Sequence, residues 1–186
     1  MTGFSFFAPI LIFQKMRKIR LFILVLIGFF WVSCQSASPD KFFERVLLNT
    51  NQISDVAPDV FGKRLDSEST AGGGNGGQAK QIVDFKIVVI EKAIGDIKEL
   101  NVTDEDAKVI KEKTVELFET VLPVYKIDYI SYAKLCDTKG TEEEKQAILQ
   151  KIQNNDMRKI DALFNEVFTL GKSYADKHQL NVSWGR

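Results

Sequence analysis

The chain has 186 residues, with 25 basic and 25 acidic side chains, two cysteines and a single histidine. One histidine excludes a histidine-built metal centre, a haem attachment motif and any dyad needing a second imidazole. Residues 34–186 alone carry 21 basic against 25 acidic residues, a net of −4, which argues against nucleic acid as a partner, since that needs a basic face.

The first element in chain order is Met16 to Cys34, MRKIRLFILVLIGFFWVSC. Arg17, Lys18 and Arg20 precede an apolar run from Leu21 to Val32, and Ser33 follows just before Cys34. Twelve apolar residues fall short of the roughly 17–25 that a membrane-spanning helix needs. A charged start, a short apolar segment and a small residue at the cut are the layout of a secretory signal peptide. With Val32 and Ser33 ahead of Cys34, the segment resembles the signal of bacterial lipoproteins, although Trp31 stands where an aliphatic residue is usual. The resemblance implies cleavage before Cys34 and lipid on that cysteine. It divides the chain into a signal peptide over 1–33 (with 1–15 an extension ahead of Met16), a tether over 34–38 and a domain over 39–186. Gln35, rather than aspartate, implies the outer membrane. The membrane is then a partner through the lipid, and Cys136 has no cysteine to pair with.

Ser38-Pro39-Asp40 predicts a helix start, with serine as cap and proline at the first position. Phe42, Phe43, Val46, Leu47 and Ile53 follow at helical spacing until Pro58 ends the helix. Val60, Phe61 and Leu65 suggest one short further turn or a packed loop. Glu68 to Gln78, ESTAGGGNGGQ, reads as a flexible glycine-rich loop. It lacks the strand and the lysine-serine/threonine pair of a phosphate-binding loop.

Ala79 to Leu100 predicts a helix with two adjacent apolar stripes, one through Val83, Ile87, Ile90, Ile94 and Ile97, the other through Ile82, Phe85 and Val89. So broad a face belongs at the centre of a bundle. Thr103 to Asp106 predicts a capping box opening a helix that runs to about Leu135, kinked at Pro123. Thr141 with Glu144 predicts a second box, opening a helix to Lys177 or His178 whose pattern lapses at Gln153 to Asp156. The expected fold is all-α, an up-and-down bundle of about four helices.

The chemistry-bearing residues point away from an enzyme, a metal site or a cofactor. His178 sits near a helix end, where a positive group is favoured. Glu112, Glu116 and Glu119 lack the Glu-x-x-His motif of carboxylate metal sites in bundles. Tyr125, Tyr129 and Tyr132 are the exception. They follow Phe118 and Leu122 along one stripe, and tyrosine joins a large apolar body to a polar tip. They are candidate partner-binding residues, with a packed core stripe as the alternative. The expected function is a lipid-anchored interaction module of the cell envelope, an inhibitor or an assembly scaffold binding an envelope or periplasmic protein. The alternative is a carrier holding a small apolar ligand between its helices.

Overall fold

The computed structural model describes residues 36–71 and 77–183. The signal segment, Cys34 and the centre of the glycine-rich segment lie outside the described residues. Regular structure among the described residues is helical throughout, so the fold is all-α and bundle-like.

The first helix opens where Ser38-Pro39 predicts, with Pro39 at its first position in α1 (Pro39–Phe42). Ser38 contributes its backbone carbonyl to Phe42 at 2.8 Å, not its hydroxyl. The pitch then widens into a π turn over Phe43–Leu47 and tightens into 3-10 helix over Leu48–Ile53. Polar side chains accompany this. Asn49 Nδ2 donates to the Arg45 carbonyl and Thr50 Oγ1 to the Leu47 carbonyl, each at 2.6 Å. Such bonds compete with the regular backbone ladder.

α2 (Pro58–Ala71) replaces the expected short turn or packed loop with a helix of 14 residues. Pro58 starts this helix, a position where its missing N–H costs nothing. The helix was hard to read because its buried apolar side is narrow: Phe61 and Leu65, one turn apart, are both completely buried. Since α2 reaches Ala71 and α3 begins at Gln78, both ends of the expected loop 68–78 belong to helices.

α3 (Gln78–Glu99) matches its expected limits to within one residue. α4 (Glu105–Pro123) begins one residue later than the Thr103 box implies, because Asp104 is the cap and accepts from the Ala107 N–H at 3.1 Å. Beyond Pro123 the backbone remains right-handed helical through a π stretch, Val124–Tyr129, into α5 (Ile130–Thr138). Proline offers no N–H to the Glu119 carbonyl, and a locally wider turn lets the helix continue past it.

α6 (Glu142–Asn155) opens on the expected box: Thr141 Oγ1 accepts from the Glu144 N–H at 3.2 Å and Glu144 accepts from the Thr141 N–H at 3.0 Å. Asp156 then interrupts the helix at φ −108°, and α7 (Met157–Lys177) follows. The single helix expected from Thr141 to Lys177 is therefore two, broken where the apolar pattern lapses. With α2 added and this break, the count of about four helices is too low.

Ion pairs trace how the long elements run. Lys98 meets Glu119 at 2.6 Å, Lys126 meets Glu91 at 2.5 Å, and Asp137 bonds the Ala79 and Lys80 N–H groups, so α3 is antiparallel to the continuous α4–α5 helix. Lys151 meets Asp128 at 2.6 Å, Lys113 meets Glu166 at 3.3 Å and Lys177 meets Asp106 at 2.6 Å, so α6 and α7 run back along its other side. α7 packs on α4, while α6 packs on α5 and α2.

Candidate functional site

The tyrosine stripe lies on the π stretch and the first turn of α5. Its side chains face inward: Tyr125 and Tyr129 are completely buried and Tyr132 is 1% exposed. This overturns their reading as a partner-binding face and establishes the core alternative. The reason is α2, the helix the sequence under-reads, whose Phe61 packs edge-on against Tyr125 and Tyr129 with ring centroids 5.0 and 4.7 Å away.

All three hydroxyls reach into the segment from Asp55 to Asp66. Tyr125 Oη donates to Asp55 Oδ1 at 3.2 Å, Tyr129 Oη to the Val56 carbonyl at 2.6 Å, and Tyr132 Oη to Asp66 Oδ2 at 2.6 Å. Two carboxylates, Asp55 just ahead of α2 and Asp66 within it, thereby gather polar clusters.

At the first, Lys86 Nζ donates to both oxygens of Asp55 at 2.8 and 3.0 Å and to the Gln52 carbonyl at 2.7 Å. The same ammonium lies 5.6 Å from the Phe61 ring centroid, within reach of a cation–π attraction. At the second, Lys145 Nζ and Cys136 Sγ both donate to Asp66 Oδ1, at 3.0 and 3.3 Å. Burial opposes the charge on Asp66, but the donors Tyr132, Lys145 and Cys136 outweigh it and hold its pKa below the usual carboxylate value.

The same surroundings act oppositely on the acids that donate. Burial first, then the neighbouring carboxylates, pushes the Tyr125, Tyr129 and Tyr132 hydroxyls well above their ordinary value. Burial and the Asp66 carboxylate push the Cys136 thiol up to about 12. A thiol attacks as its thiolate, so Cys136 is poorly placed to act as a nucleophile despite its lysine neighbour. The cluster is arranged to fasten α2 to α5 and α6.

The other sequence candidates fall elsewhere. Cys34 lies outside the described residues. Glu116 pairs with Lys113 at 3.3 Å and Glu119 with Lys98. His178 ends α7, with its ring centroid 4.3 Å from that of Tyr174 and its Nε2 3.8 Å from Asp104 Oδ2. Among the described residues no group of three or more His, Cys, Asp or Glu side chains could hold a metal ion, and no helix is long and apolar enough to cross a membrane.

The surface feature that sequence reasoning missed is the outward side of α3. Phe85 is 71% exposed, although it falls within the broad apolar face expected to be covered, and Val88, outside both stripes, is 60% exposed. Beside them opens a cavity of about 430 Å³ between α2 and α3, lined by Ile82, Phe85 and Val89 together with Gln52, Arg64 and Gln81. The signal was present in the sequence, since Phe85 belongs to the second of two stripes and a helix needs only one to join a core. The cavities near Asp66, of about 300 Å³, and along α4, of about 520 Å³, also open at the surface. Comparison with protein-family models, with curated proteins and with solved structures finds no match for this chain.

Proposed function

We propose that this chain is a lipid-anchored binding module of the bacterial cell envelope, held by lipid on Cys34 at the periplasmic side of the outer membrane, and that it binds rather than catalyses. Its partner is an envelope protein that seats an apolar side chain against Phe85. The observation that carries the binding role is the exposure of Phe85 and Val88, two large apolar side chains on the outward face of α3. Large aromatic groups at a rim of polar residues are the anchors of protein interfaces. Gln52 and Gln81 border the groove, and amide side chains suit the donors and acceptors of a peptide backbone.

The test is a photo-crosslinking amino acid placed at Phe85 and, as control, at exposed Ser173, in cells that make the full chain. One envelope protein should be captured from position 85 alone. That protein, purified, should bind the natural chain about 30-fold more tightly than Phe85→Ala, as expected for loss of an anchor of about 2 kcal/mol. Equal binding by Phe85→Ala would overturn the assignment.

A further inference from the structure

The residues that lead into α1 are held in place. The Ala37 N–H donates to the Asn101 carbonyl at 3.0 Å, and Thr103 Oγ1 donates to Ser36 Oγ at 3.2 Å. Ala37 also packs against the core. Both bonds tie the chain to the turn between α3 and α4. The C-terminal end of α7 closes over the same turn, where Lys177 Nζ reaches Asp104 and Asp106 at 3.3 and 2.6 Å. The described domain therefore begins at one end of the bundle. The opposite end holds the start of α3 and the start of α6, joined through Asp137 and the Thr141 turn.

Only Gln35 separates Ser36 from Cys34. Two residue steps reach at most about 7 Å, which is too short for a flexible spacer. We infer that the domain is held end-on against the lipid surface, with the α3–α4 turn and the end of α7 facing the headgroups. This rests on the proposed lipid at Cys34 and adds an orientation to it. The facing end supplies no net charge attraction, since Lys41, Lys108, Lys111 and Lys177 are matched by Asp40, Asp104, Glu105 and Asp106. The acyl chains supply the adhesion and the short tether supplies the geometry. Phe85 lies 15 residues before Leu100, so at ~1.5 Å per residue α3 lifts it roughly 22 Å from that end. A partner would meet the apolar patch in the aqueous space at a set height, clear of the bilayer.

The test uses the full chain, made in a bacterium with its own signal and reconstituted into phosphatidylethanolamine–phosphatidylglycerol vesicles containing a nitroxide-headgroup lipid. A fluorescent amino acid replaces Glu105 in one version and Glu143 in another; both positions are exposed, at opposite ends of the domain. Quenching should be several-fold stronger at position 105, and a long Gly/Ser linker between Gln35 and Ser36 should abolish the difference. Equal quenching in protein whose mass includes the acyl chains would overturn the orientation and leave the anchor standing. Protein that carries no acyl mass and does not partition with vesicles would overturn the anchor, and the orientation with it.

Discussion

The hydroxyl of Tyr129 donates to the backbone carbonyl of Val56 at 2.6 Å, joining the π stretch between α4 and α5 to the chain two residues ahead of α2. Tyr129 is completely buried, so the bond satisfies a carbonyl that water does not reach. Tyr129→Phe keeps the ring and leaves that carbonyl without its partner, which should cost about 1–3 kcal/mol. Tyr129→Ala removes the ring as well, and should cost about 3–5 kcal/mol by analogy with other large aromatic truncations. Thermal unfolding checks both, at roughly 2–4 °C per kcal/mol for a domain of this size. A midpoint unmoved by Tyr129→Ala would contradict the burial.

The Asp66 cluster predicts opposite trends at the two extremes of pH. Asp66 has a folded pKa below its ordinary 3.8, so its contribution is complete above that value and is lost as pH falls through the folded one. Asp66→Asn should lower stability at neutral pH and flatten the acid side of the stability profile. Cys136 is raised from 9.0 to about 12, so its contribution is complete below the ordinary value and is lost as pH climbs toward the raised one. Cys136→Ser should remove that alkaline loss. Denaturant midpoints measured across the pH range check both signs, and slow thiol labelling of the folded protein checks the second independently.

Lys139 ends α5 at φ 57°, in the left-handed region that side chains avoid. Glycine is the preferred residue at such a helix end. Lys139→Gly should therefore stabilise the domain by about 0.5–1 kcal/mol, visible as a small rise in unfolding midpoint. Glycine at the neighbouring exposed and regular position Thr138 should lower it, because there the extra backbone freedom is only a loss.

What the sequence reveals follows the range of the interaction. The Thr141–Glu144 box and the limits of α3 are local, and they were legible because helical spacing and capping are written within a few residues. The phase of the tyrosine stripe was legible for the same reason, but its direction was not. Which side faces inward depends on residues more than sixty positions away, Phe61 and Asp66 on a helix with a narrow apolar side and Asp55 just ahead of it. Phe85 was legible as apolar and misjudged as covered, because periodicity reports which residues share a face and not whether a neighbour arrives to cover it. Cap competition explains the one-residue shift at α4. Asp104 accepts the helix N–H, and Thr103 is turned to Ser36.

α3 has no side chain at its N-cap position to offer its first N–H groups. Gly77 precedes it at φ 107°, and the first free N–H groups, those of Ala79 and Lys80, are satisfied by the carboxylate of Asp137, each at 3.0 Å. That carboxylate is on α5, 57 and 58 positions away along the chain. The capping of the first turn of α3 is thus a product of assembly, since its acceptor arrives from α5. Fraying at the two ends becomes one cooperative event. The glycine-rich connection between α2 and α3 need not encode the start of a helix, and its length and composition are free to vary without unwinding the element it leads into.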